Sequence, residues 1–367
     1  MVLATDGRAR PDGSWPRRRP IGRILEIGEH CLIGRGLPIA TDYVCTSLTG
    51  PPPDLPSPLN RLEPIAALRA LRAGVYGLIV AHAPAFSAMR ASMLRFAVRK
   101  PLERGLPLIL RANLAWLIPA DVPVVMLDLE DAPIMYANNL PLLDRALLYF
   151  KRELPADRAR VFLQTRAPGL PDSRSRIAEP MATRIAKLRP ISSGLSDAVL
   201  AAAPGEPARK TADVFFAGQI AGSSTLRQSG AAELIGLTSH GVNLDFATGR
   251  LPLADFLTRA AAARLVWSPE GYAHECFRHY EAAAVWSVPV INTPGIERLK
   301  PLLPGIHAIC YGVEPGGLSR AVVTALRGPE RLLVMGRAAR RHALRYHSPA
   351  ALARYVLGET EARLDGR

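Results

Sequence analysis

From about residue 21 onward, short apolar runs alternate with longer stretches in which apolar residues recur at helical spacing. GRILEIG (22–28) and VYGLIVAHAP (75–84) read as strands, and EPIAALRALRAG (63–74) between them reads as a helix that stops at Gly74. A long helical segment follows over 86–104, and then PVVMLDLED (123–131), whose Val-rich run suits a strand buried on both faces. Strands separated by helices in this way predict βαβ units and parallel sheet.

Between about 157 and 210 the composition shifts, with Pro, Arg, Ser and Gly clustering in TRAPGLPDSRSR and again in AAAPGEPARK. Such segments read as linkers. The alternation then restarts with ADVFFAGQ (212–219), a buried strand entering a glycine turn. A helix through AAELIGLTSHG, strands in GVNLDFATG, RLVWSPEG, VPVINTP and HAICYG, and helices in PLADFLTRAAAA, PGGLSRAVVTALRG and PERLLVMGRAARRHALRYH complete a second α/β unit. The expected organisation is a basic arm at 1–20, an N-terminal Rossmann-like domain at 21–190 and a linker at 191–211. A C-terminal Rossmann-like domain at 212–345 and a helix at 346–367 packing back on the first domain complete it.

A length of 367 residues agrees with two domains, and 49% hydrophobic against 21% charged residues supports ordinary cores. The 46 Lys and Arg exceed the 32 Asp and Glu, giving a formal net charge of +14. An anionic partner is therefore expected. Aromatic residues make up only 6% and do not interleave with the arginines, which argues against nucleic acid. The arm, with clustered arginines and no core-forming pattern, is read as an attraction to the inner face of an anionic membrane. Cys31, Cys45, Cys276 and Cys310 stand far apart with no C-x-x-C pair, so neither a zinc ribbon nor a disulfide framework is indicated, and a reducing cytoplasm fits. The N-terminus has no apolar h-region, and the most apolar stretch is interrupted by Arg111, Asn113, Pro119, Asp121 and Pro123. Neither G-x-G-x-x-G after a strand nor G-x-x-x-x-G-K-[ST] occurs, so a dinucleotide dehydrogenase or a P-loop enzyme lacks its main signature.

The segment richest in chemistry is RLVWSPEGYAHECFRHYEAAAVWSVPVI (264–291). A strand ends at Ser268, the SPEGYAH loop follows with Glu270, Gly271 and His274, and a helix opens near Glu275. That places loop and helix start at the carboxyl edge of a parallel sheet, where α/β folds hold ligands and free backbone N–H groups attract phosphate. Arg278 and Glu281 are three apart and share a helix face, offering a donor fork for phosphate and a carboxylate for hydroxyls. Each also has a purely structural reading: Arg278 and Glu281 as a surface ion pair, His274 and His279 as ordinary histidines, Glu270 and Gly271 as a turn. Phe277, Tyr280 and Ala284 lie on a neighbouring face and are expected in the core.

The pattern ECFRHYEAAAVWSVPVI resembles the donor-binding helix and following strand of the two-domain (GT-B fold) glycosyltransferases, nearest their exostosin-like and spore-coat branches. DVFFAGQ, Arg227 on the next helix and ALLYFKRELP (146–155) share that resemblance, which covers residues 146–320. It implies two Rossmann-like domains facing across a cleft and glycosyl transfer from a nucleotide-sugar to a glycan, lipid-linked or protein acceptor, as in polysaccharide biosynthesis. Carried over, Glu281 would bind the ribose hydroxyls and Arg227 the diphosphate. The sequence departs from the family at two places: Ala273 stands eight positions before Glu281, where retaining members carry Glu, and Ser287 replaces the usual Gly.

No metal and no other cofactor is implied, because the sequence has no D-x-D flanked as a metal-holding loop. Acceptor-side chemistry is expected at strand ends of the first domain, from His82 in IVAHAP and from Asp128, Glu130 and Asp131 in MLDLEDAP, with His82 and Asp131 as the catalytic candidates. Two rival readings remain: a nucleotide-sugar epimerase on the same fold, and a catalytically degenerate cationic protein that holds a glycan or lipid.

Overall fold

The computed structural model describes residues 21–47, 50–52, 54–83, 118–136, 139–163, 181–222 and 224–366. The basic arm, the helical segment expected at 86–104 and TRAPGLPDSRSR lie outside the described residues. The chain divides into two compact units, one comprising Met1–Ile191 with Leu352–Arg367 and the other Ser192–Ala351.

The first unit is built on a seven-stranded sheet in which every pairing is parallel. Its strands are β1 (Arg23–Gly28), β2 (Thr41–Cys45), β3 (Asn60–Arg61), β4 (Tyr76–His82), β5 (Val124–Asp128), β6 (Leu148–Lys151) and β7 (Leu188–Pro190), in the order β3-β2-β1-β4-β5-β6-β7. The chain reverses its direction of travel between β1 and β4, so the carboxyl ends of those strands form the switch point at which such sheets bind ligands. Helix α1 (Ile33–Gly36) follows β1, and α2 (Pro64–Arg72) starts on a proline and ends before Gly74 at φ +70°, a left-handed position suited to glycine. Helices α3 (Leu140–Arg145) and α4 (Met181–Ala186) precede β6 and β7.

The second unit holds a five-stranded parallel sheet of β8 (Ala212–Gly218), β9 (Leu244–Thr248), β10 (Ala263–Trp267), β11 (Val288–Asn292) and β12 (Ile309–Tyr311), ordered β12-β11-β10-β8-β9. Its switch point falls between β8 and β10. The helices are α5 (Asp197–Ala202), α6 (Thr225–Gly236), α7 (Leu253–Ala262), α8 (Phe277–Ala284), α9 (Gly317–Leu326) and α10 (Pro329–His347). Two clusters of buried side chains cover the faces of this sheet, one with Phe215, Val266 and Tyr280 and the other with Phe216, Trp267 and Val290. Successive strand residues thus enter opposite cores, as the period of two requires.

Two expectations need correction. The stretch 191–211 is not a linker. It carries α5, capped by Ser196, whose hydroxyl accepts the Val199 N–H at 3.2 Å, and its Leu195 and Val199 are buried in the core of the second unit. Pro and Gly in this stretch punctuate a packed segment rather than a free one. The second correction is Phe277, which is 52% exposed whereas Tyr280 and Ala284 are buried. As the first residue of α8 it lies where the helix leaves the sheet edge, beyond the reach of the core.

The last helix, α11 (Pro349–Leu364), belongs to the first unit from Leu352 onward. Ala353 and Val356 are buried there with Ile24, Leu78 and Val80. The Tyr355 hydroxyl donates to the Pro190 carbonyl at 2.9 Å, and Arg189 Nε donates to Glu359 Oε2 at 2.8 Å. No described helix is long and apolar enough to cross a membrane.

Candidate functional site

The carboxyl ends of β8 and β10 gather most of the residues singled out in the second unit. Arg227 lies in the first turn of α6, which Ser224 caps by accepting the Arg227 N–H at 3.3 Å. Its guanidinium donates from Nε to the Glu270 carbonyl at 2.9 Å and from Nη1 to the Gln219 carbonyl at 3.3 Å. Arg278, in the first turn of α8, donates from Nη2 to the Ala217 carbonyl at 2.8 Å and stacks over the Phe216 ring at 5.0 Å. Two guanidinium groups therefore reach carbonyls two residues apart on one strand end.

Arg278 Nε and Nη1 are buried and have no hydrogen-bond partner among the described residues. A buried charged donor left unsatisfied is costly, so these N–H groups mark a place for an acceptor. Burial, followed by the Arg278 charge, pulls Arg227 below its ordinary pKa. Two like charges held together in a partly buried setting are stabilised by an anion between them. No side chain caps α8 at Cys276, so its first-turn amides add to the positive field.

Glycine makes room for both arginines. A Cβ on Gly218 would stand 2.8 Å from Arg278 Nη2, and one on Gly271 would stand 2.5 Å from Arg227 Nη2. Neither contact involves backbone, so Gly218→Ala is expected to fold with a melting temperature within a few degrees of wild type while displacing the Arg278 fork. Its affinity for a nucleoside diphosphate should fall by about fivefold to tenfold in calorimetric titration. Unchanged affinity would mean that the seat of Arg278 does not matter to binding.

The SPEGYAH loop is fixed from β11, because Asn292 accepts the Glu270 N–H at 2.9 Å and donates to Glu270 Oε2 at 3.0 Å. The Tyr272 hydroxyl donates to the Gly222 carbonyl at 3.0 Å, with the ring 75% exposed. His274 contributes its carbonyl to Arg298 Nη2 at 2.8 Å. The structural reading holds for His279: Arg298 donates to its Nε2 at 3.2 Å, so Nδ1 carries the proton and meets Ser268 Oγ at 2.7 Å. Burial pushes its pKa down to about 3. Glu275 is likewise structural, accepting the Ser193 N–H at 2.7 Å and the Tyr280 hydroxyl.

Glu281 does not form the surface ion pair with Arg278 that its spacing allows; among the described residues it has no hydrogen bond or ion pair. Burial pushes its carboxyl up to about 7, with the Arg278 charge opposing this. An acid whose folded pKa exceeds the unfolded value binds its proton more tightly when folded. Its contribution to stability is therefore present below about 4.5 and is lost as pH rises through about 7. On the expectation that the ionised Glu281 accepts from ribose hydroxyls, affinity for a bare nucleoside should rise in wild type between about pH 6 and 8 and stay flat in Glu281→Gln. A rise of equal size in Glu281→Gln would move the titrating group elsewhere.

In the first unit, His82 ends β4 with Nε2 3.0 Å from Glu26 Oε1. Glu26 is fully buried inside β1 and also accepts the amides of Leu32 (2.6 Å), Ile33 (3.1 Å) and Gly34 (2.8 Å). Burial pushes its carboxyl up, but the His82 hydrogen bond and charge with these amides outweigh it and hold the pKa below the ordinary value. An ionised acceptor at Nε2 fixes that nitrogen as a protonated one, so Nδ1 is the ring nitrogen that can exchange a proton. Sequence reasoning missed Glu26, whose one signal was a carboxylate at an inward position of an apolar strand. Glu29, His30, Thr46 and Glu130 line a small pocket with His82.

Asp131 is 61% exposed and pairs with Arg152. Asp128 is corrected: it is a structural carboxylate, buried and bonded to Lys151 Nζ at 3.0 Å and the Tyr149 hydroxyl at 2.8 Å. As the last residue of β5 it stands in register with Lys151 of β6, which holds it to the neighbouring strand. Among the described residues, no group of three or more His, Cys, Asp or Glu is placed to hold a metal ion.

No family model and no curated protein matches the sequence. Solved structures do match over nearly the whole chain. A glycosyltransferase from Rickettsia africae aligns with a TM-score of 0.54 at 7% identity, covering 95% of this chain and all (100%) of that one. An alpha-glucosyltransferase in complex with UDP and a 13-mer DNA aligns with a TM-score of 0.53 at 8% identity, covering 94% and 99%. These structural neighbours are GT-B glycosyltransferases, and the likeness gives the fold: α/β, with two Rossmann-like units.

Proposed function

We propose that the second unit binds a nucleotide-sugar donor and that the protein transfers the sugar to an acceptor hydroxyl. The observation that carries this reading is the convergence of Arg227 and Arg278 on one strand end at the switch point, with two buried guanidinium N–H groups awaiting an acceptor. Charge develops on the departing diphosphate as the glycosidic bond breaks, and preorganised guanidinium and amide donors stabilise it. Glu281 takes the ribose hydroxyls, and the loop of Glu270, Gly271 and His274 bounds the donor. The UDP in the glucosyltransferase neighbour supports a nucleoside diphosphate as ligand. The sequence pattern of 264–291 supports the exostosin-like and spore-coat branches as the nearest kin.

On the acceptor side we assign His82, oriented by Glu26, as the base, with the Asp131 and Arg152 pair at the same sheet edge available to acceptor hydroxyls. This chemistry uses side chains alone and calls on no metal. The test is incubation of the full chain with labelled nucleotide-sugars, with and without glycan and lipid-linked acceptors. Release of nucleoside diphosphate that requires acceptor is expected. An epimerised donor without acceptor would instead establish the epimerase reading.

A further inference from the structure

Helix α10 buries Leu332, Met335, Gly336, Ala339 and Ala343 against the second unit and turns its other side to solvent. That outer side carries Val334, Arg337, Arg341 and Arg345, spaced three, four and four residues apart, which places them on one stripe. All four are exposed, Val334 to 66%, and Leu333 beside them to 40%. From 331 to 347 the helix contains no Asp or Glu. Arg337 and Arg341 make no hydrogen bond or ion pair to any described residue, and Arg345 only stacks on Tyr346.

Like charges four residues apart destabilise an isolated helix, and a surface helix ordinarily offsets them with carboxylates at the same spacing. Here that offset is missing along the whole exposed stripe. At the start of the helix, Leu333 and Glu330 border a cavity of about 320 Å³ lined also by Arg209, Lys210, Arg264 and Trp286. Lys210 spends its amine on the Ala261 and Trp286 carbonyls and on Ser287 Oγ, and Arg264 pairs with Asp213. Arg209 is exposed on the rim and unpaired among the described residues.

We propose that this face of α10 docks on an anionic lipid bilayer, with the arginines at the level of the phosphate headgroups and Val334 and Leu333 entering the interface. A cationic stripe with aliphatic side chains beside it matches a surface that is anionic above and apolar beneath. Nucleic acid would answer to the same charge but gains nothing from exposed Val and Leu. The cavity beside Leu333 has room for one headgroup, with Arg209 at its mouth. The cavity lies at the amino end of the second sheet, beside the starts of β8, β10 and β11, and none of the residues invoked here belongs to the donor site, so the inference does not depend on the nucleotide reading.

The experiment is cosedimentation of the full chain with vesicles of phosphatidylcholine, with and without phosphatidylglycerol. Wild type and an Arg337→Gln, Arg341→Gln, Arg345→Gln triple variant are compared at equal melting temperature, and Val334→Trp is read by brominated-lipid quenching. Partition of wild type is expected to require phosphatidylglycerol and to fall on the order of tenfold or more in the triple variant. The tryptophan at 334 should be quenched beyond the wild-type level. Equal partition of wild type and triple variant overturns the proposal. So does binding of a single-stranded or duplex oligonucleotide that the triple variant loses while its vesicle binding is unchanged.

Discussion

Replacing Arg278 with alanine is expected to weaken nucleoside diphosphate binding by about a hundredfold while changing affinity for the bare nucleoside by less than about threefold. The asymmetry follows from where the guanidinium stands. Nη2 is used on the Ala217 carbonyl, and the Phe216 ring holds the plane, while Nε and Nη1 are left for ligand. Hydrogen bonds to a charged group contribute roughly 1.5 to 3 kcal/mol each, so losing two of them costs roughly 3 kcal/mol or more, which is about a hundredfold at the lower end. The variant also leaves a hollow beside Gly218 and takes a donor from the Ala217 carbonyl, which should lower stability by about 1 to 2 kcal/mol. Arg278→Lys keeps the charge and loses the fork, and should fall between wild type and alanine. Calorimetric titration with uridine diphosphate and with uridine separates these effects from unfolding.

The second large effect is structural and lies in the first unit. Lys151 is fully buried and its amine sits 3.0 Å from Asp128, which is itself 2% exposed in its side chain. Lys151→Met preserves volume but strands the carboxylate with only the Tyr149 hydroxyl (2.8 Å) and the Glu130 amide (3.2 Å). Breaking a buried pair from one side is expected to destabilise the first unit by roughly 3 to 5 kcal/mol, read from its transition in urea. Asp128→Leu combined with Lys151→Met should recover most of that loss, because no buried charge remains. If the single variant unfolds like wild type, the pair is not a dry ion pair. Donor binding by the second unit should survive in both variants.

What the sequence made legible was carried by pattern. Apolar runs located β1, β4, β5 and the strands of the second unit, and Gly74 marked the end of the helix before β4. The strands β2, β3, β6 and β7 were not read, because β3 and β7 are two and three residues long, and Thr41 with Asp42 in β2 and Lys151 in β6 break the apolar run that marked the others. The donor-side residues were legible because they are local: loop, helix start and helix face fall within one stretch of chain. Their partners were not, because Arg278 meets Ala217 and His82 meets Glu26 only through strand order. The same non-local pairing removed Asp128 from the list of candidates and added Glu26. Gly218 and Gly271 looked like turn residues, and only the space their missing side chains leave shows what they serve.

Binding of a nucleoside diphosphate by Arg227, Arg278 and Glu281 is the claim on which the functional reading stands, and calorimetric titration of the full chain with uridine and guanosine diphosphates tests it most directly. Wild type should bind at least one of them at a single site, Glu281→Gln about tenfold or more weaker, and Arg278→Ala weaker still. A wild-type chain that binds neither diphosphate, or one whose affinity is unaltered in both variants, would contradict it.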